Sequence, residues 1–140
     1  MKKNLPLILL SLSAWGGQMA FAQNVTSGNI TGVSADNKAA AVNVKLTGNL
    51  TQTANGDFRQ LRDLCYQMAK LDLSTANCTN IPKNALHSRH NLKTLILPNN
   101  LVNIGSQAFF ACDAMTGTLS IPRTVKSIGA SAFSMCKSLQ

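Results

Sequence analysis

The chain contains no glutamate, and acidic residues of any kind are few. Its five acids are all aspartates, namely Asp36, Asp57, Asp63, Asp72 and Asp113. Paired-carboxylate chemistry and a His-Glu-x-x-His zinc site therefore have almost no residues to draw on. A Gly-x-Ser-x-Gly nucleophile elbow and a phosphate-binding glycine loop are also missing from the sequence. These absences predict a protein that is not an enzyme and that uses no cofactor.

Aromatic side chains are scarce as well, at 5% of the chain, and the single tryptophan is Trp15. Lysine and arginine outnumber the acids by 13 to 5, but no basic run is interleaved with aromatics. Binding to nucleic acid commonly combines a basic patch with stacking side chains, so we expect no nucleic-acid partner. The net positive charge is consistent with an acidic partner or with a role in solubility alone. Because the basic residues are scattered along the chain, we favour the solubility role.

A long apolar segment is absent, and the only apolar run lies at the N-terminus. Lys2 and Lys3 precede an apolar stretch over 5–12, and small residues flank a cleavage position at 20–22. This order is typical of a secretory signal peptide, which we place at 1–22. The run is too short for a transmembrane anchor. We therefore expect an exported protein, either secreted or on the cell surface of a bacterium, with the periplasm as an alternative.

What the sequence does contain is a pattern repeated at an offset of 24 residues. Core-type and turn-type residues recur in eight pairs: Leu95 and Leu119, Leu97 and Ile121, Pro98 and Pro122, Ile104 and Ile128, Gly105 and Gly129, Ala108 and Ala132, Phe109 and Phe133, and Cys112 and Cys136. A period of this length indicates stacked repeats rather than a closed globule. The pattern predicts an α/β repeat fold, a leucine-rich-repeat solenoid with short parallel strands.

The chain is predicted to consist of four segments, of which the signal peptide at 1–22 is the first. After the signal peptide, 23–41 is polar and turn-rich and is expected to be a flexible lead-in. The stretch 42–70 combines an alternating strand with an apolar-faced helix, which Asp57 is expected to cap, and predicts an N-terminal cap for the solenoid. Residues 71–140 hold about three rungs, the last of them incomplete.

Each rung is expected to point alternate strand side chains outward, because side chains alternate along a strand. The outward positions predict one short binding face, made of Lys70, Asp72, Thr94, Ile96, Thr118 and Ser120. Inside, Phe109 should stack on Phe133, and Gly105 and Gly129 are expected to supply a backbone conformation that other residues resist. The alternative interpretation of the face is an ordinary solvated sheet surface.

The repeated residues resemble the leucine-rich repeat of the BspA-like surface-protein family. The match is carried by the run from Leu95 through Pro98, Ile104-Gly105 and Ala108-Phe109 to Cys112, and by its copy 24 residues later. The resemblance implies an exported or surface-displayed bacterial protein. Some members of the family are adhesins that bind host matrix or plasma proteins. We therefore expect a non-catalytic protein that binds an extracellular protein or glycan.

The chain reaches Gln140 where another strand is expected. This position favours two alternatives to a free-standing adhesin. One is the N-terminal part of a longer surface protein, and the other is a structural module that self-associates through its last rung.

The four cysteines permit three pairings, among which the sequence does not choose. Cys65 and Cys78 are the better candidates for a disulfide, which would tie the cap helix to the loop after the first strand of the repeats. Cys112 and Cys136 share a rung position and are expected to be stacked buried thiols. His87 and His90 lack the further ligands that a metal site needs, so we expect no metal there.

Overall fold

A computed structural model describes residues 23–31, 33–52 and 56–140. Its elements in chain order are β1 (Gln23–Ser27), α1 (Ala35–Ala40), β2 (Ala41–Leu46), α2 (Asp57–Leu64), β3 (Lys70–Asp72), β4 (Asn80–Ile81), β5 (Thr94–Ile96), β6 (Asn103–Ile104) and β7 (Ser127–Ile128). The predicted signal peptide, 1–22, lies outside the described residues. From β3 onward the strands are only two or three residues long; β3 to β6 alternate between two sheets, and β7 joins the second.

The first sheet has four parallel strands in the order β1-β2-β3-β5. Strand register places one inward side chain of each strand in a single buried column, made of Val25, Val44, Leu71 and Leu95. Because successive strand side chains point to opposite faces, the residues on either side of this column point outward. The sheet thus has one apolar face toward the core and one face toward solvent.

The second sheet has three parallel strands in the order β4-β6-β7. Ile81, Ile104 and Ile128 stand in register across it, with Asn80, Asn103 and Ser127 beside them. Asn103 Nδ2 donates to Asn80 Oδ1, and Ser127 Oγ donates to Asn103 Oδ1 at 2.7 Å. The chain visits one sheet and then the other, so each rung is one turn of a parallel-strand solenoid.

The core between the sheets is continuous from rung to rung. Phe109 is fully buried and stacks on Phe133 with ring centroids 5.2 Å apart, which confirms the predicted pairing. Parallel displaced rings at this distance add to the stabilisation from burial alone. The repeat periodicity therefore carries through to the packing of the interior.

The segment 23–41 differs from the flexible lead-in expected of it. It contains β1 and α1, and Ser34 caps α1 by accepting a hydrogen bond from the amide of Asn37. Ile30 and Val33 are buried in the same core as the repeats. These elements were not predicted because β1 has five residues and α1 only six, which is too few to show a clear periodic pattern of apolar residues.

Asp57 opens α2 as expected but does not cap it. The N-cap position is Gly56, and the fully buried Asp57 carboxylate instead accepts hydrogen bonds from outside the helix. Its donors are the amides of Ile30, Thr31 and Thr51, together with the Thr51 hydroxyl, at 2.7 to 3.3 Å. The carboxylate thus fastens two preceding loops to the start of the helix, which a local capping rule does not foresee.

Gly105 and Gly129 are needed for a different reason from the one expected. Neither has a positive φ, and apart from Gly117 the left-handed residues among the described residues of the repeats are non-glycine. A Cβ atom on Gly105 would lie 2.5 Å from the backbone nitrogen of Lys83, and one on Gly129 would lie 2.3 Å from that of Ser106. Glycine recurs here because adjacent rungs approach too closely for a side chain.

Candidate binding face

The outward face of the first sheet holds four of the six residues predicted for binding. Lys70 pairs in register with Thr94, and Asp72 pairs with Ile96 on the neighbouring strand. Lys70 and Thr94 are exposed, and Ile96 is 37% exposed although it is a large apolar residue. The structure therefore brings these four side chains together on β3 and β5.

Thr118 and Ser120 are exposed but do not continue the sheet. In the part of the chain that the structure describes, the segment 118–120 forms no strand. Gly117, at φ 79°, turns the backbone immediately before this segment and pairs instead with Leu139 in an isolated bridge. The 24-residue offset was right for the sequence pattern, but pairing on this side of the sheet stops at β5.

Two strands that the sequence reasoning did not assign to the face enlarge it on the other side. β1 and β2 add Asn24 and Asn43 beside Lys70, and Thr26 and Lys45 beside Asp72. The outward side chains therefore form two columns: Asn24, Asn43, Lys70 and Thr94 in one, and Thr26, Lys45, Asp72 and Ile96 in the other. The alternation over 42–46 could have identified the contribution of β2, whereas the pattern in β1 is too short.

The charges of the face are organised around Asp72. Its carboxylate lies 3.7 Å from the Lys45 ammonium and accepts hydrogen bonds from the amide and hydroxyl of Ser74 at 2.9 and 2.7 Å. Partial burial acts to raise the pKa of Asp72, but the Ser74 hydrogen bonds and the charges of Lys45 and Lys70 outweigh burial and hold the pKa below its ordinary value. Asp72 is therefore an ionised, already engaged acceptor at neutral pH.

A groove of about 310 Å³ crosses the outward face over β1, β2 and β3. Its polar lining comprises Asn24, Thr26, Asn43, Lys45, Lys70 and Asp72. Asn43 Nδ2 donates to Asn24 Oδ1 at 2.7 Å, which holds the two amides side by side. The enlarged face thus has a recess that begins at the predicted residues Lys70 and Asp72 and extends to β2 and β1.

The four cysteines are free thiols in this structure, including Cys65 and Cys78, the pair predicted to form a disulfide. Burial raises the pKa of Cys65 and of Cys78 to about 11, and that of Cys112 to about 12. Cys112 Sγ donates to the carbonyl of Leu86, and Cys136 Sγ to that of Phe109, each at 3.1 Å. Protonated, buried thiols of this kind are inert core residues rather than nucleophiles.

The two histidines serve as contacts between rungs. His87 stacks on Phe110 with centroids 5.0 Å apart, and His90 Nδ1 lies 2.8 Å from Asp113 Oδ1. Within the described residues, no group of three or more histidine, cysteine or acidic side chains could hold a metal ion. Each histidine therefore lies against a residue of the following rung.

Comparison with known proteins places this geometry in a family. The family model for the BspA-type leucine-rich repeat region matches residues 35–140, in six copies. The chain belongs to the BspA-type leucine-rich repeat family. Its resemblance to that family in the repeated residues is thus confirmed over most of the chain, including the strand β2 and helix α2 of the segment predicted as a cap.

A solved relative within this fold is the leucine-rich repeat protein of T. pallidum. The two share 24% sequence identity with a TM-score of 0.56, and the match covers 83% of this chain and 49% of the other. The chain thus spans about half the length of that protein, and the likeness supports the solenoid fold alone. No curated protein matches the sequence.

None of the helices in the described part of this BspA-type chain has the length and apolar character needed to cross a membrane.

Proposed function

We propose that the chain is an exported, non-catalytic binding protein that uses the outward face of its first sheet to hold an extracellular protein or glycan, in the manner of an adhesin. The observation that carries this proposal is the four-stranded face itself. It presents two in-register columns of polar and charged side chains, with Ile96 as an exposed apolar residue at its edge. Repeat proteins commonly use such extended surfaces for partners rather than for chemistry.

Export is part of the same proposal. The signal-like segment at 1–22 supports secretion or display on a bacterial surface, and the periplasm is the alternative compartment. Family membership supports the repeat architecture, and the absence of glutamate from the whole chain supports a role without acid–base catalysis. A host matrix or plasma protein and a host glycan are the partners that this proposal names.

The test is saturable binding of the purified exported protein to immobilised matrix proteins, plasma proteins and glycans. Ile96→Asp should weaken a specific interaction about tenfold, because it places a charge at the exposed apolar contact on the edge of the face. Leu64→Asp is a matched control, since Leu64 is 40% exposed on α2 and Ile96 is 37% exposed on the face. Absence of saturable binding across the panel, or equal losses in both variants, would contradict the proposal.

A second candidate function is self-association, supported by the exposure of the last rung. Ile128 is 51% exposed, whereas its in-register counterparts Ile81 and Ile104 are each 1% exposed. Ile121 and Met135 on the same rung are also exposed. A second copy, or further repeats of a longer surface protein, would bury this apolar surface. Ile128→Lys should abolish a concentration-dependent dimer in light scattering, and a monomer at high concentration would refute self-association.

A further inference from the structure

The groove over β1, β2 and β3 has a chemistry that the rest of the face does not share. Thr94 and Ile96 on β5 present a hydroxyl and an apolar side chain, but the groove is lined by amides, ammonium groups, a hydroxyl and one carboxylate. Of its lining, only Lys70 and Asp72 belong to the residues from which the binding face was first predicted. Its ligand can therefore be considered separately from the partner of the whole face.

The charge of the groove is net positive. Lys45 and Lys70 supply two ammonium groups against the single carboxylate of Asp72. That carboxylate already accepts two hydrogen bonds from Ser74 and pairs with Lys45 at 3.7 Å. Lys70 lies close enough to lower the pKa of Asp72 but makes no direct ion pair within the described residues. An anionic group at the groove would meet an ammonium that the protein has not neutralised.

The amides of the groove add hydrogen-bond donors next to these charges. In the hydrogen bond from Asn43 Nδ2, the side-chain oxygen of Asn24 is the acceptor, so this bond does not use the donor hydrogens of the Asn24 amide nitrogen. Asn43 stands in register between Asn24 and Lys70, so the donors follow one line across the three strands. A ligand rich in acceptor oxygens and repeated along its length fits this line.

The same lining disfavours other ligand classes. Among the described residues, no aromatic side chain lines the groove, so a neutral sugar has no stacking platform there. The only apolar residues in this described lining are Val25 and Val44, which point into the core, so a peptide held by hydrophobic side chains finds no apolar pocket there. Side-chain amides and hydroxyls suit sugar hydroxyls, and paired ammonium groups suit carboxylate or sulfate.

We propose that this groove binds an acidic polysaccharide, with its carboxylate or sulfate groups at Lys45 and Lys70 and its hydroxyls at Asn24, Asn43 and Thr26. The proposal rests on the binding function proposed above for the same sheet face. It names acidic polysaccharides as the chemical class of the ligand, and it places the ligand contacts on β1, β2 and β3.

The test compares two double variants that remove the same charge from different surfaces. Lys45→Gln with Lys70→Gln changes the groove, and Lys126→Gln with Lys137→Gln changes exposed lysines of the last rung. Binding of the full exported protein is measured against heparin, polygalacturonate, neutral dextran and polyglutamate. The groove variant should lose about tenfold in affinity for heparin and polygalacturonate, and the control less than about twofold. Circular dichroism confirms that both variants keep the native fold.

A third variant separates hydrogen bonding from charge. Asn43→Ala leaves the net charge unchanged and should still weaken polysaccharide binding about threefold, because it removes part of the amide line. An unchanged affinity for this variant would show that the amides do not contact the ligand and would overturn the proposal as stated. Dextran should bind none of the proteins.

Three further results would overturn the inference. Equal losses in the two lysine variants would show non-specific attraction to a basic protein. Tighter lysine-dependent binding of polyglutamate than of either polysaccharide would identify an acidic peptide as the ligand. Saturable, Ile96-dependent binding to a matrix protein without any polysaccharide binding would refute the inference while leaving the proposed function standing.

Discussion

Replacing Gly105 by alanine tests the close stacking of the rungs. The added Cβ would lie 2.5 Å from the Lys83 backbone nitrogen, 2.6 Å from the Pro82 carbonyl carbon and 2.9 Å from the Ile81 carbonyl oxygen. All three are backbone atoms of the preceding rung, which cannot move aside as a flexible side chain could. Ordinary contact therefore requires the two rungs to separate by nearly one ångström at this point.

Separation on that scale strains a hydrogen bond that joins the same two rungs. The Gly105 amide donates to the Ile81 carbonyl at 2.8 Å. Losing such a bond costs about 1 kcal/mol, and inserting a methyl group into a packed interior costs about 1–3 kcal/mol. Gly105→Ala should therefore lower the free energy of unfolding by about 2–4 kcal/mol.

Urea denaturation followed by circular dichroism measures this loss. With a slope of about 2 kcal/mol/M, the midpoint should fall by about 1–2 M. Gly28→Ala is the matched control, since a Cβ there meets nothing within 4 Å, and its midpoint should stay close to that of the parent protein. A Gly105→Ala midpoint equal to that of the control would refute the argument that rung spacing selects glycine.

Three other predictions concern the interior. Phe109→Ala should destabilise the protein by about 3–5 kcal/mol, and Phe133→Ala by roughly half as much because Phe133 is only partly buried, as measured by the same urea titration. Asp57→Asn should cost about 2 kcal/mol, since one carbonyl oxygen cannot replace both carboxylate oxygens, and an equal loss in the exposed control Asp36→Asn would contradict this. Burial raises the pKa of Cys112 to about 12, so the thiol stays protonated in the folded protein while the unfolded chain loses its proton above about pH 9. The free energy of unfolding should therefore fall as the pH rises above about 9. Cys112→Ser should reduce that fall, as measured by thermal melts at pH 8 and pH 10.

The repeat rungs could be predicted from the sequence because they obey a period. Leu71 recurs as Leu95, and Ile81 recurs as Ile104. Each of these pairs stands in register on neighbouring strands of one sheet. Periodic core residues constrain where a strand lies and which way it points. Four members of the binding face followed directly from that constraint, because outward positions are fixed once inward ones are known.

What could not be predicted depends on contacts between segments that share no repeated pattern. β1 joins the sheet by pairing with β2, and only one of its residues, Val25, is a buried apolar side chain. Asp57 accepts hydrogen bonds from residues up to 27 positions away. Such interactions leave no local periodicity, so the contribution of β1 to the groove could not be predicted from the sequence.

The division between repeated and unrepeated residues also bears on function. The repeated positions of the inner rungs, such as Leu95 and Ala108, are buried, so their recurrence reflects the demands of stacking. Under the proposed function, ligand selectivity should arise at positions that stacking leaves variable, among them the outward side chains of the first sheet. The most varied of these lie on β1, β2 and β3, where amides, ammonium groups and a carboxylate meet. A search for the partner should therefore begin with the N-terminal strands and their groove rather than with the regular rungs.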